Sequence, residues 1–427
     1  MTFRAGSAPL RVEQALRLLP DVDALVPLRA FLVSNARVKR ASDPYATFGK
    51  RHVYPTDLKD RLPDAVARVA EHLAVLYQAA VDALEAEQAH DTTGAARALM
   101  RAGEQEELVG RGDEAHVWYS HALGIAQELR DRRPEIEALR HLGDLETGRG
   151  HLDAGARYHQ RGLALADAEL DQTGAASACA GLAAVAVAQG RWPGAEAWYI
   201  RGARYAEKDR LLTARLWMGL SDVARRRGQF ESSAEWLGRA RPVFEELGEL
   251  KDRVHVLNAS GLLEAERARY QPALAYYREA LVHLGRVERL ARLELNIRLN
   301  ICQLYFDYER LPDVEDEARQ AEEIAIVHNC TSELARLYVL MGRVCGRQRD
   351  DRGFVFFEKA IELSRGRAPD LRLEAEAYME YGAFRNQLGD REEGRAYLER
   401  AREIAEAIGD GQFLSRIDQL LGPDDPL

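Results

Sequence analysis

Small residues recur about every 40 positions from residue 103 to residue 401, and this period limits the possible folds more than any other feature. The clearest copy is Leu257–Leu284, where the pattern predicts two helices joined by a tight turn at Ala268–Tyr270. Its small residues are Gly261, Ala273 and Ala280. A chain that repeats one short unit folds by stacking each copy on the next, so the sequence predicts a repeat protein.

Eight copies align on five positions: a small residue, a turn residue seven later, a small residue five further, a bulky residue four beyond that, and a small residue three later. Copy six is looser, with Val314 and Ala318 at the second small and the bulky positions, and copy seven has one residue fewer between Gly342 and Ala360. Small residues at these spacings let two helices cross closely while the bulky side chain fills the groove beside them. The last small residues of the eight copies are Ala122, Gly162, Gly202, Ala240, Ala280, Ala321, Ala360 and Ala401.

This skeleton resembles the tetratricopeptide repeat, whose unit is about 34 residues long. The family's small, turn and aromatic positions all have counterparts in this chain, which adds about six residues per copy. The longer variety is similar to the repeats of kinesin light chain and of the sensor domains of bacterial regulators. The resemblance implies an all-α, right-handed α-solenoid of about eight helix–turn–helix repeats with helical caps at both ends.

The composition is that of a folded helical protein, with 46% hydrophobic and 30% charged residues among 427. A net charge of −10 argues against direct binding of nucleic acid or of an anionic membrane. Four widely separated cysteines, without a CxxC pair, indicate free thiols in a reducing compartment. The first residues lack the apolar core of a signal peptide. We therefore predict a soluble, cytoplasmic protein.

The chain divides into four predicted segments. Residues 1–63 form a helical segment that ends in a basic loop rich in proline and aromatic residues. Residues 64–94 form a capping helix or a degenerate repeat, 95–410 the eight repeats, and 411–427 a C-terminal capping helix and tail. The first segment could be a cap, an arm that transmits a bound state, or an autoinhibitory segment, and the sequence does not distinguish these roles.

In the family that this chain resembles, the first helix of each repeat lines the ligand groove, and its exposed positions can be counted from the first small residue. On this acidic chain those positions are rich in arginine and side-chain amides. Arginine suits carboxylates and phosphates, and amides can pair with an extended peptide backbone. The predicted binding residues are Arg215, Arg225, Arg226, His255, Asn258, Asn296, Asn300, Gln303, Arg336, Arg343 and Arg347.

Two interpretations of these positions stay open. In the first, the groove binds an acidic peptide or the carboxylate at the end of a peptide. In the second, the arginines are ordinary surface charges paired with neighbouring acids. The third repeat differs, because its groove positions are small and mostly apolar, as if covered by the N-terminal segment, a partner helix or the winding of the repeats. These positions are Ser177, Ala180, Ala184, Val187 and Ala188.

No motif for metal, nucleotide or nucleophilic chemistry occurs in the sequence, so we expect neither a cofactor nor a metal. The histidine pairs His116/His121 and His151/His159 lack the spacing of a helical metal site. Residues 1–61 are too few for an ordinary catalytic domain. An enzyme is therefore the third-ranked class.

We predict a non-enzymatic scaffold that binds a protein or peptide in its groove to assemble a complex. The alternative is a ligand-sensing regulatory subunit that controls a separate effector protein. A homo-oligomer is compatible with both hypotheses. Because the packing skeleton carries no information about surface chemistry, the identity of the partner does not follow from it.

Overall fold

The computed structural model describes residues 91–108, 111–128, 132–285, 290–328, 330–365, 370–408 and 411–422, with five isolated positions between 76 and 86. The predicted segment 1–63, most of 64–94 and the tail 423–427 lie outside the described residues. Within the described ranges the secondary structure is entirely helical, with seventeen helices and no strand. The predicted all-α class is thereby confirmed.

The helices follow one another in pairs joined by short connections. We call the first helix of each pair the A helix and the second the B helix. In chain order they are α1 (Thr92–Leu108), α2 (Gly112–Gln127), α3 (Arg133–Gly148), α4 (Leu152–Ala168), α5 (Gln172–Ala188), α6 (Trp192–Tyr205), α7 (Arg210–Arg226), α8 (Phe230–Leu247), α9 (Leu250–Glu266), α10 (Tyr270–Leu284), α11 (Ala291–Asp307), α12 (Leu311–Val327), α13 (Thr331–Gln348), α14 (Arg352–Ser364), α15 (Leu371–Leu388), α16 (Arg391–Ile408) and the unpaired α17 (Gly411–Leu421).

The turn between an A helix and its B helix is closed by a residue in the left-handed conformation. After α9 this residue is Ala268, with φ of +56°. The N–H of Ala268 donates to the Ala265 carbonyl at 2.9 Å, and the N–H of Arg269 donates to the Glu264 carbonyl at 2.8 Å. This is the Schellman arrangement, which satisfies the carbonyls at the end of a helix. The same turn slot has positive φ at Gly150, Gly190, Gly228, Ala268, Glu309, Arg349 and Gly389.

The predicted turn position is thus confirmed in each of these copies, whether or not it holds glycine. In copy seven the turn still comes seven residues after Gly342, at Arg349. The next small residue, Gly353, follows after four positions instead of five. The missing residue of this copy therefore lies between the turn and the start of α14.

Close crossing of A and B helices depends on glycine facing a ring. A methyl group at Gly261 on α9 would lie 2.4 Å from Cε1 of Tyr277 on α10, which is fully buried. The same relation holds for Gly342 and the Phe357 ring, with a contact of 2.5 Å. The predicted packing of small residues against bulky ones is confirmed, and it explains why the period persists along the chain.

The chain separates into two compact units, Met1–Leu216 and Trp217–Leu427. The second unit has one continuous hydrophobic core that extends from Val254 to Ile417. Its last helix, α17, packs on α16 and buries Phe413 and Ile417. The division into four segments inferred above stays a prediction. Among the described residues, no helix is both long and apolar enough to cross a membrane.

Candidate functional site

Successive A helices of the second unit contact one another: α9 contacts α11, α11 contacts α13, and α13 contacts α15. Their polar side chains meet across these contacts, because each repeat places equivalent positions side by side. We call this surface the A-helix face. Its members are Asn258, Asn296, Asn300, Gln303, Phe306, Arg336, Arg343 and Arg347.

The arginines near the end of α7 are neutralised by acids. Arg225 donates from Nη2 to Oδ1 of Asp222 at 2.6 Å and also pairs with Glu266 of α9. Its side chain is only 13% exposed. Arg226 donates from Nε to Oδ2 of the same Asp222 at 2.8 Å. For these two residues the structure matches the interpretation of surface charges paired with neighbouring acids.

Two asparagines join α9 to α11. Nδ2 of Asn300 donates to Oδ1 of Asn258 at 2.8 Å. In the part of the chain that the structure describes, this bond uses one group of each amide. The side-chain NH₂ group of Asn258 and the side-chain carbonyl of Asn300 make no further hydrogen bond there. A donor and an acceptor therefore remain, which is what an extended peptide backbone needs.

Helix α13 supplies the three arginines of the A-helix face. Arg336 donates from Nη1 to Oδ1 of Asn296 at 3.3 Å. Arg343 donates from Nη1 to Oε1 of Gln303 at 3.2 Å. The guanidinium of Arg347 lies over the Phe306 ring, with its Cζ 5.6 Å from the ring centroid. Within the described residues, neither Arg336 nor Arg347 has a carboxylate partner. Their positive charges are left uncompensated.

Arg343 is different, because it has an acidic neighbour on α15. Its Nε lies 3.8 Å from Oε2 of Glu380, and its Cζ lies 4.5 Å from the centroid of Phe306. Burial raises the pKa of Glu380, while the charge of Arg343 acts to lower it. Arg416 of α17 contacts the same carboxylate at 3.6 Å. Glu380 therefore anchors Arg343 and links three helices at this end of the face.

The structure brings seven of the eleven predicted residues together on the A-helix face. Arg225 and Arg226 lie on α7 in their own ion-pair cluster, and His255 is half-buried on α9. Arg215 is exposed and belongs to the first unit. Sequence reasoning did not select Phe306 or Glu380 as site residues. Phe306 occupies a groove position and could have been chosen. Glu380 is not at any of the groove positions that are counted from the first small residue of its repeat.

A second polar network lies in the first unit. Arg140 of α3 donates from Nη1 to Oδ2 of Asp144 at 3.1 Å and contacts Nε2 of His141 at 2.7 Å. Burial, with a smaller effect of Arg140, lowers the pKa of His141 to about 3. Burial likewise raises the pKa of Asp144. The imidazole of His141 is therefore neutral near pH 7 and can accept the arginine hydrogen bond.

His159 lies beside this network, with its Nε2 3.6 Å from Oδ1 of Asp144. Its ring is 1% exposed between Gly143 of α3 and Gly181 of α5, and neither ring nitrogen has a hydrogen-bond partner. Burial lowers the pKa of His159 to about 4, so the ring packs as a neutral bulky residue. Nowhere in the described ranges do three or more His, Cys, Asp or Glu side chains form a group suited to a metal ion.

Comparison by sequence finds neither a matching protein-family model nor a matching curated protein. Comparison by structure finds solved proteins that match over nearly the whole chain. The Rap conjugation gene regulator of plasmid pLS20, in complex with a Phr peptide, is 13% identical with a TM-score of 0.51, over 98% of this chain and 99% of that one.

Two other solved structures match to a similar degree. A Rap protein complexed with competence and sporulation factor is 12% identical with a TM-score of 0.50, over 94% of this chain and 98% of that one. Aspartyl phosphate phosphatase F from Bacillus subtilis is 14% identical with a TM-score of 0.50, over 87% and 97% of the two chains. Identities this low are informative about the fold. Together with the observed repeat skeleton, they show that this chain has the fold of the tetratricopeptide-repeat superfamily.

Proposed function

We propose that this protein is a non-enzymatic scaffold that binds a peptide, or an extended segment of a partner protein, on the A-helix face. The observation that carries the proposal is the pair of uncompensated arginines on α13. Both guanidinium groups keep their charge on the A-helix face of a chain whose net charge is −10. Arg336 and Arg347 lie 11 positions apart on α13, about 16 Å along the helix, so each arginine would bind a different carboxylate of an acidic ligand.

The rest of the face has the groups that such a ligand requires. Asn258 and Asn300 retain a donor and an acceptor for its backbone. The ring of Phe306, between Arg343 and Arg347, contributes an apolar surface that holds both guanidinium groups in place. Amides at one end and arginines at the other give the site a direction, with the acidic end of the ligand over α13.

The structural comparisons support a peptide ligand and a regulatory role. The pLS20 regulator was solved with a Phr peptide, and another Rap protein with competence and sporulation factor. These observations favour a scaffold that also responds to its ligand. The second candidate is thus a ligand-sensing regulatory subunit that controls a separate effector protein. One matching structure is a phosphatase, so the proposed lack of catalysis rests on the site and not on the fold.

A peptide library can test the site. The full chain is used to select from random heptapeptides with a free C-terminal carboxylate, and the enriched peptides are titrated by calorimetry. Each charge-assisted hydrogen bond contributes about 1.5–3 kcal/mol, so R336E combined with R347E is expected to weaken binding roughly a hundredfold or more. Amidation of the C-terminal carboxylate of the peptide removes its negative charge and is also expected to weaken binding to the native chain.

The control reverses two arginines on B helices, R319E and R395E, because Arg319 and Arg395 are exposed and lie outside the face. This variant is expected to bind as the native chain does. The proposal fails if no peptide is enriched, or if the enriched peptides bind the double α13 variant with unchanged affinity while circular dichroism shows intact helices. The regulatory role has its own test: the affinity of a captured effector protein for this chain must change when the peptide is added.

A further inference from the structure

A cavity of about 380 Å³ opens between α14, α15 and α16 of the second unit. None of the residues of the A-helix face lines it. It lies between two B helices, α14 and α16, above the A helix α15. Its lining consists of Glu358, Ile361, Glu362, Arg365, Tyr378, Tyr381 and Tyr397.

Three tyrosine rings form the inner wall of this cavity. The ring centroids of Tyr381 and Tyr397 are 4.4 Å apart, and those of Tyr378 and Tyr397 are 5.8 Å apart. The faces of aromatic rings carry partial negative charge and attract cations. A group of rings this close is the arrangement that recognises organic cations in proteins.

These rings already contact two guanidinium groups of the chain itself. The Cζ atom of Arg385 lies 5.0 Å from the centroid of Tyr381 and 5.3 Å from that of Tyr397. Arg385 is not part of the cavity lining, and its charge is balanced by Asp390 and Glu393. The guanidinium of Arg365, which does line the cavity, has its Cζ 5.3 Å from the centroid of Tyr378. The cluster therefore shows the affinity of these rings for planar cations.

The charges at the mouth of the cavity are acidic. Glu358 and Glu362 lie one turn apart on α14, and both are exposed. Glu358 accepts one hydrogen bond, from the Tyr381 hydroxyl at 3.3 Å, and Glu362 has no partner among the described residues. The lining arginine, Arg365, is neutralised by Glu374, with an Nε to Oε1 distance of 2.6 Å. Two carboxylates thus remain without a cation.

We propose that this cavity is a binding site for a positively charged side chain, an arginine of a partner protein. Charge complementarity selects a cation, and the half-buried ring of Tyr397, beside the buried rings of Tyr378 and Tyr381, favours a planar one. A guanidinium stacks on aromatic rings and can bind carboxylates through two parallel hydrogen bonds, which an ammonium cannot do. The site uses α14 and α16, so a partner can occupy it without displacing a ligand from the A-helix face.

The test uses the full chain with its tyrosine rings isotopically labelled. The probe is the peptide acetyl-Gly-Arg-Gly-amide, and the comparison is the same peptide with citrulline, which keeps the shape of arginine without its charge. We expect saturable shifts of the Tyr378 and Tyr397 ring resonances with the arginine peptide only. E358Q combined with E362Q keeps the side-chain volume and is expected to weaken binding roughly tenfold or more.

A matched control is available on α16, where Glu399 and Glu403 are also exposed and one turn apart. E399Q combined with E403Q is expected to leave binding unchanged. Equal binding of the citrulline peptide, equal binding to the E358Q/E362Q variant, or no saturable shift would each overturn the proposal. It is also overturned if binding appears only after R367A, because an arginine of the chain itself would then be the occupant; Arg367 lies outside the described residues.

Discussion

At the scale of single residues, the fold depends on glycines that leave room for one ring. Gly103 faces Tyr119, and Gly261 faces Tyr277; a methyl group on either glycine would lie 2.4 Å from a ring carbon. Such contacts are too short for real side chains, and both rings are fully buried, so they cannot turn away. Glycine is costly in a helix, and it is retained here because the crossing requires it.

The substitution Gly261→Ala is expected to destabilise the protein by about 1–3 kcal/mol, because the new methyl overpacks the Tyr277 ring. Gly238→Ala is the control. Gly238 is helical and exposed on α8, and nothing lies within 4 Å of a methyl added there. This change should stabilise the protein by about 0.5–1 kcal/mol through helix propensity. Urea unfolding measures both, and equal effects of the two changes would contradict the packing account.

His159 makes stability depend on pH. Its pKa falls from the ordinary 6.5 to about 4 on folding, so the unfolded chain binds the proton more tightly. The associated stability is therefore present above pH 6.5 and is lost as the pH falls toward 4. His159→Tyr places the residue of copies one and five, Tyr119 and Tyr277, in this slot.

For the native chain, the contribution of His159 to this loss between pH 7 and pH 5 is about 2 kcal/mol. The His159→Tyr variant should lack that part of the decrease, whatever its stability at pH 7. Urea unfolding midpoints at several pH values give the slope of stability against pH for the native chain and for the variant. Parallel slopes for the native chain and the variant would show that His159 does not titrate in this way.

At the scale of elements, the A helices from α3 to α15 end in the same left-handed turn, and the array of the second unit ends in an unpaired helix. The turn accepts Ala268, Glu309 and Arg349 as well as glycine, so the hydrogen bonds of the motif outweigh the strain. Helix α17 covers the last repeat by burying Phe413 and Ile417. An end repeat has a neighbour on one side only, and its apolar face must be covered.

The contribution of α17 can be measured by Ile417→Ala. Ile417 is fully buried, and its truncation should cost about 2 kcal/mol or more, a factor of about 30 in the local opening equilibrium. Leu420→Ala is the control on the same helix, because Leu420 is 43% exposed. Hydrogen exchange of the α16 and α17 amides should accelerate in the first variant and not in the second. Equal acceleration would mean that α17 is not docked through Ile417.

At the scale of the whole molecule, two compact units each have their own core and their own polar features. The first unit contains a network with neutral, buried histidines, and the second contains the A-helix face and the tyrosine cavity. In the two binding sites that we propose, the α13 arginines bind an anion and the cavity binds a cation, so one unit would bind two chemically different ligands. The fold matches known structures at 12–14% identity, because few residues maintain it.

The repeat, the turn position and the packing of small against bulky residues could all be predicted from the amino-acid sequence. Each of these depends on spacing within one copy, where helical geometry converts sequence separation directly into contact. Gly261, Ala268 and Tyr277 could be assigned their positions for that reason. The one-residue deletion in copy seven was also visible in advance, although only the structure places it after Arg349.

Which arginines are paired follows only in part from local spacing, as for Asp222 with Arg225 and Arg226 on one helix. Other partners come from other repeats: Glu266 is 41 residues from Arg225, and Gln303 is 40 residues from Arg343. The period brings such residues onto adjacent helices, yet it does not determine how long side chains orient once there. That is why Arg225 pairs with Glu266 of the next repeat, whereas Arg347 lies over Phe306 of the preceding repeat and pairs with no carboxylate among the described residues.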